Sequence, residues 1–168
     1  VGCQVRHLKT VHEVPNDLYQ VIENADVLVV AGGNTLFALD RWKRLNLIHH
    51  IQIAMERGTV MSGGSAGAIC WFTSGHSNCM DPETYKDYRI NKFSNMDDDD
   101  NMMDGGNLQE SRAMDSNETI KDWKYIRIPA MGFLPGIVSP HHDRIQSNGV
   151  LRGDDFDRLL IQQLLPGE

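Results

Sequence analysis

The stretch Thr59-Val60-Met61-Ser62-Gly63-Gly64-Ser65-Ala66-Gly67-Ala68 decides how this chain is read. A short apolar run, two glycines, a serine and then small residues leading into Ile69-Cys70-Trp71-Phe72 predict a strand over 59–62, a tight turn, and a helix from Ala66 to Phe72. The turn holds a Gly-x-Ser-x-Gly pattern at Gly63, Ser65 and Gly67. The pentapeptide is weak alone, and its place between strand and helix gives it meaning. A nucleophile elbow needs the serine at the tip of a strained turn, with small neighbours that let strand and helix approach while the hydroxyl stays open. The N–H of Ala66 then lies at the helix start, where free donors and the helix dipole can hold an oxyanion. A tight turn with a hydroxyl cap uses the same residues.

Upstream, Ala25-Asp26-Val27-Leu28-Val29-Val30-Ala31 is continuous and β-branched and ends at Gly32-Gly33-Asn34-Thr35. That profile predicts a strand buried on both faces of a parallel sheet. From Thr35 to Arg57, apolar residues recur every three or four positions up to Gly58, which predicts one helix or a helix pair. A shorter helix is expected over 16–23, with Asn16 as its cap. Strand, helix, strand, helix makes an α/β fold with a parallel sheet, and the turns at Gly33 and Ser65 then leave the sheet at the same carboxyl edge. Gly33 or Asn34 can supply a second oxyanion N–H there. The bland reading is a loop capped by Thr35. A phosphate-binding loop fits less well, because neither turn continues as Gly-x-Gly-x-x-Gly or Gly-Lys-Ser/Thr.

The 168 residues, 40% of them hydrophobic, are enough for one domain with its own core. A net charge of −7 has the wrong sign for a phosphate-backbone binder and sets nucleic acid aside as a partner. No run nears eighteen apolar residues, so no membrane partner is expected. Cys3, Cys70 and Cys79 are an odd number without Cys-x-x-Cys spacing, which points to a reducing, cytoplasmic setting rather than a disulfide framework. Val1 is not a methionine and the chain stops abruptly after Leu164-Leu165-Pro166-Gly167-Glu168, so a piece of a longer chain, cut at both ends, is expected.

The middle of the chain differs in kind. Apolar residues thin out from Gly75 to Asp122, and 96–106 is acidic and glycine-rich, which predicts a flexible insertion over 82–122 within the single domain. Asp97–Asp100 lacks the ligand spacing of a calcium loop. Strand character returns at 123–128 and 131–138, and a last helix is expected over 154–165. An activated serine needs a base, and histidine suits neutral pH. Of seven histidines, His141 follows Pro140 after a strand-like segment that can reach the Ser65 edge, whereas His76 falls in the polar middle. His141-His142-Asp143 also suggests a metal site, a minor reading without a second ligand pair.

Gly-Gly-Asn-Thr at 32–35, Gly-x-Ser-Ala-Gly-Ala at 63–68 and Pro140-His141, in that order, resemble the peptidase E family of aspartyl dipeptidases, with the cyanophycinases as relatives. The resemblance runs from about 26 to 165. It implies a three-layer α/β sandwich with a mostly parallel sheet, of the class I glutamine amidotransferase-like kind. It further implies Ser65 as nucleophile, His141 as base, and the N–H groups of Gly33 and Ala66 as the oxyanion hole. An acidic residue orients the histidine in that family. Asp81 fits one location and the other falls beyond Glu168, while Asn78 stands where an aspartate would also fit and its amide cannot stabilise an imidazolium. The implied substrate is a dipeptide or short peptide with an amino-terminal aspartate, beside Gly32 and Asn34. Its carboxylate would be met by Arg144 or Arg152, and no metal or cofactor is required. A homodimer is left open. Two rival readings are a related hydrolase with another acyl substrate and an inactive homologue that binds peptides or partners.

Overall fold

The computed structural model describes residues 2–9, 14–82, 84 and 123–163, with side chains as far as 160. The acidic insertion expected over 82–122 therefore lies outside the described residues, apart from Pro82 and Thr84. Strand β1 (Val27–Val30) and strand β2 (Val60–Gly63) run parallel, in a register that pairs Val27 with Val60 and Val30 with Gly63. The turns at Gly32 and Gly64 thus leave one edge together. Both strands alternate in exposure. Leu28, Val30 and Met61 pack against the core, while Val27, Val29 and Val60 remain exposed. The continuous apolar run at 25–31 predicts burial on both faces, yet only one face is covered among the described residues, because the helices packed on the pair lie on one side.

Those helices are α1 (Leu18–Glu23), α2 (Thr35–Arg44) and α3 (Leu47–Arg57). Leu18 and Ile22 of α1 meet Leu47, Ile51 and Ala54 of α3 with Trp71 in one buried cluster. Full burial of a Leu or Ile contributes roughly 1.5–3 kcal/mol relative to exposure, so this cluster is a main source of fold stability. The stretch from Thr35 to Arg57 is a helix pair rather than one helix. Asn46 breaks it at φ 53°, and α3 ends on Gly58 at φ 99°. The cap of α2 is Asn34, whose side chain accepts the Phe37 N–H at 3.1 Å. Thr35 is instead buried, with Oγ1 3.3 Å from Ser77 Oγ. The cap of α1 position is Asp17 rather than Asn16.

Beyond Ser65 the helix α4 (Ala66–Ile69) is one turn long and stops three residues short of Phe72. The chain then enters strand β3 (Phe72–Ser77), which pairs antiparallel with β4 (Ile126–Pro129) and parallel with β5 (Leu134–Val138). Helix α5 (Arg152–Gln163) follows, starting two residues before its expected position. The architecture is α/β, with parallel pairing in two of its three described ladders. Strand β3 falls where the sequence reads as the start of a polar loop. Ser74, Gly75, His76 and Ser77 are nevertheless all buried, and Gly75 faces Ile69 so closely that a Cβ there would lie 2.4 Å from Ile69 Cγ2. A strand of small polar residues is stable inside only when each side chain finds a partner.

Candidate active site

Ser65 adopts φ 56° and ψ −118°, a backbone that L-residues enter at a cost of order 1–3 kcal/mol. The sequence around it lets the neighbouring segments close in. A Cβ on Gly63 would fall 2.5 Å from the carbonyl oxygen of Gly67, and one on Gly67 would fall 2.1 Å from that of Val30. Only glycine fits at either place, which is the requirement expected of an elbow. The backbone of Gly32 passes over the serine: its Cβ position is 3.3 Å from Ser65 Cβ and 3.8 Å from Oγ. Ser65 is half-buried, and its hydroxyl makes no hydrogen bond among the described residues. The N–H groups of Gly33 and Ala66 are likewise unpaired among the described residues. With α4 only four residues long, these are individual donors rather than the end of a substantial dipole.

Two further contacts involve the end of β3 and the segment after it. Asn34 Nδ2 donates to the carbonyl oxygens of Cys79 (3.0 Å) and Thr84 (3.1 Å), which ties the turn after β1 to the segment after β3. His76 on β3 lies 3.2 Å from Ser139 Oγ, which ties β3 to the turn after β5. His141 sits in that turn at φ 55°, half-buried. Its ring makes no hydrogen bond among the described residues, so neither Ser65 nor a carboxylate is bonded to it. Burial, then the charges of Arg152 and Arg144, pull its pKa below the usual imidazole value, against a smaller opposing pull from Asp143.

Asp81 is buried and accepts from Ser147 Oγ at 3.4 Å, while Ser147 in turn accepts from the Trp123 indole at 2.8 Å. Arg144 is exposed. Arg152 is fully buried, with its guanidinium carbon 5.4 Å from the Tyr125 ring centroid and Nη2 donating to the His76 carbonyl. Its Nε and Nη1 have no partner among the described residues, and burial pulls its pKa down to about 10. A buried guanidinium with open donors favours an anion. The sequence does not single out His76. It is fully buried and bonded to Asp155, a pairing across seventy-nine positions that no local pattern carries. Among the described residues no group of three or more His, Cys, Asp or Glu is arranged to hold a metal, and no helix is long and apolar enough to cross a membrane.

Comparison with known proteins places the chain in a family. The chain is 39% identical over 84 residues to the uncharacterized peptidase YgaJ of Bacillus subtilis (strain 168), covering 50% of this chain and 36% of that protein. It is 41% identical over 58 residues to peptidase E of Shewanella sp. (strain W3-18-1), covering 34% of this chain and 24% of that protein. A third similarity, 28% over 118 residues, is to a Trypanosoma brucei brucei protein named G2/mitotic-specific cyclin-1, covering 70% of this chain and 30% of that protein. The chain thus matches about a third or less of each of these relatives' length. No solved structure matches it significantly. The family model for peptidase family S51 matches residues 1–96, more than half of the chain and the whole of the Ser65 elbow, and the chain belongs to that family.

Proposed function

We propose that this chain carries the nucleophile and the base of a cytoplasmic serine peptidase that cleaves dipeptides or short peptides with an amino-terminal aspartate. One observation carries the reading: Ser65 is held at φ 56° on an elbow that only glycines can flank, with an open hydroxyl and the unpaired N–H groups of Gly33 and Ala66 nearby. Ser65 Oγ attacks the scissile carbonyl carbon while His141 takes the hydroxyl proton, and the Gly33 and Ala66 donors hold the oxyanion. His141 returns the proton to the leaving amine, and water then hydrolyses the acyl-enzyme. The lowered pKa of His141 suits a base that must be neutral before attack. Of the two arginines, exposed Arg144 is the one a substrate carboxylate can reach directly, and fully buried Arg152 contributes its positive charge from behind the His141 turn. Asp81 is the acidic residue proposed to complete the triad.

The test is hydrolysis of an Asp-X dipeptide by the chain and by Ser65→Ala, with fluorophosphonate labelling of Ser65 alongside. Turnover and labelling that both vanish in Ser65→Ala support the reading, and equal turnover in the two proteins overturns it. A second reading rests on a specific observation, the absence of any carboxylate bonded to the His141 ring among the described residues. On that reading the chain is an inactive homologue that binds small peptides. Saturable peptide binding without labelling or turnover is its signature.

A further inference from the structure

Next to the turn that carries His141 lies a buried polar cluster that the proposed chemistry does not use. His76 is fully buried, yet both of its ring nitrogens are engaged. Nε2 is 2.9 Å from Asp155 Oδ2 on α5, and Nδ1 is 3.2 Å from Ser139 Oγ, one residue past the end of β5. The ring is held between Tyr125, with centroids 4.7 Å apart, and Phe156, at 5.5 Å. A carboxylate only accepts, so Nε2 carries the proton, Nδ1 presents its lone pair, and the Ser139 hydroxyl donates to it. Burial lowers the pKa of His76, which maintains this neutral tautomer against the raising influence of Asp155. The other charged or titratable groups acting on it are Arg152 and His142, both of which also lower it.

The polarity of the chain is therefore fixed from Ser139 through His76 to Asp155, and it ends two residues before His141. Helix α5 holds the far side of the same turn. Gly153 N–H donates to the His142 carbonyl at 2.9 Å and Arg152 N–H to that of Arg144 at 3.0 Å. A Cβ on Gly153 would lie 3.0 Å from His142 Nε2 and 3.1 Å from the His142 carbonyl oxygen, so the helix start and the turn are in close contact. The backbone on both sides of His141 is thus fastened, whereas the His141 ring has no hydrogen bond of its own among the described residues. Its direction is set by the backbone that bears it.

We propose that His76 is a positioning residue for His141, acting through the Ser139 hydroxyl, with Asp155 holding His76 in the tautomer that accepts from Ser139. The proposal rests on the reading of His141 as the base. It separates the two links of His76. His76→Asn keeps an amide oxygen near the Nδ1 position to accept from Ser139 and gives up Asp155. His76→Gln keeps an N–H near the Nε2 position for Asp155 and leaves Ser139 without its acceptor.

The experiment is steady-state kinetics on an Asp-X dipeptide with the full chain and the variants His76→Gln, His76→Asn, Ser139→Ala and the double variant His76→Gln/Ser139→Ala. Each is first shown to be folded by denaturant unfolding. Loss of the Ser139 link lowers kcat by about tenfold or more, with KM within about twofold, because a displacement of the base by a fraction of an ångström misaligns it without removing substrate contacts. His76→Asn recovers most of that loss, and the double variant is no worse than either single one. Unchanged kcat in both His76→Gln and Ser139→Ala overturns the proposal, as does a kcat in His76→Asn no better than in His76→Gln. A second readout is independent of turnover: the imidazole ¹H–¹⁵N resonances of His141 move in His76→Gln and Ser139→Ala and return toward wild type in His76→Asn. If the wild-type chain neither turns over nor labels with a fluorophosphonate, the peptidase reading fails by itself, and the resonances alone decide whether His76 positions His141. Resonances that stay fixed in all variants then overturn it.

Discussion

Gly67 and Val30 are packed backbone against backbone, so that a Cβ on Gly67 would lie 2.1 Å from the Val30 carbonyl oxygen. The contact joins the first turn after Ser65 to the end of β1, and neither partner has a flexible side chain that can yield. Gly67→Ala must therefore separate α4 from β1. It is expected to lower stability by about 2–3 kcal/mol or more, at the upper end of overpacking effects. A denaturation midpoint within error of wild type contradicts this contact.

The backbone of Ser65 stores strain that glycine would not feel. Ser65→Gly removes the nucleophile and relieves the left-handed φ, at the smaller expense of a more flexible unfolded chain. Turnover should fall by at least about a thousandfold. Stability should hold or rise by about 1 kcal/mol, the pattern of a site strained for its function. Thermal unfolding beside the kinetic assay checks both, and a marked loss of stability argues against strain at this position.

The pKa of His141 is pulled down by burial, Arg152 and Arg144, in that order. A base with a lowered pKa stays neutral to lower pH, so the acid limb of kcat/KM is expected below the ordinary imidazole value of about 6.5. Arg144→Gln removes one positive neighbour and should move that limb upward. A limb at or above about 6.5 in wild type, or a downward move in the variant, has the wrong sign.

Stability itself should depend on pH through His76. Its folded pKa is lowered by burial, so in mildly acid solution the unfolded chain binds the proton and the folded chain does not. Stability is then fully present above the unfolded value of about 6.5 and is lost as pH falls from there toward the folded pKa. His76→Gln should flatten this slope while lowering the plateau. Denaturant midpoints between pH 5 and 8 are the measurement, and an unchanged slope in the variant removes His76 as its source.

The thiols divide by burial. Cys3 is exposed, while Cys70 and Cys79 are buried, with Cys70 pushed up to about 12 and Cys79 also raised by burial. The thiolate is the reactive form, so one thiol per folded chain should react with a disulfide reagent at neutral pH, and three after unfolding. Fast reaction of Cys70 in the folded chain is incompatible with this packing.

Much of this molecule is legible in one dimension. The β-branched run ending at Gly32, the three-and-four spacing from Thr35 to Arg57, and the small residues about Ser65 depend on neighbours a few positions away, which a sequence displays directly. So does the glycine requirement at Gly63 and Gly67, since strand, turn and helix are contiguous there. Strand β3 is different: Ser74, Gly75, His76 and Ser77 have no apolar alternation, and they are buried because distant groups satisfy them. Ser77 finds Thr35, and His76 finds Asp155 and Ser139. Tertiary packing likewise distinguishes Arg144 from Arg152, two similar arginines in sequence, one exposed and one sealed against Tyr125. Local propensity sets where elements begin and how they turn, whereas burial and the partners of polar groups are properties of surfaces that meet only when the chain has folded.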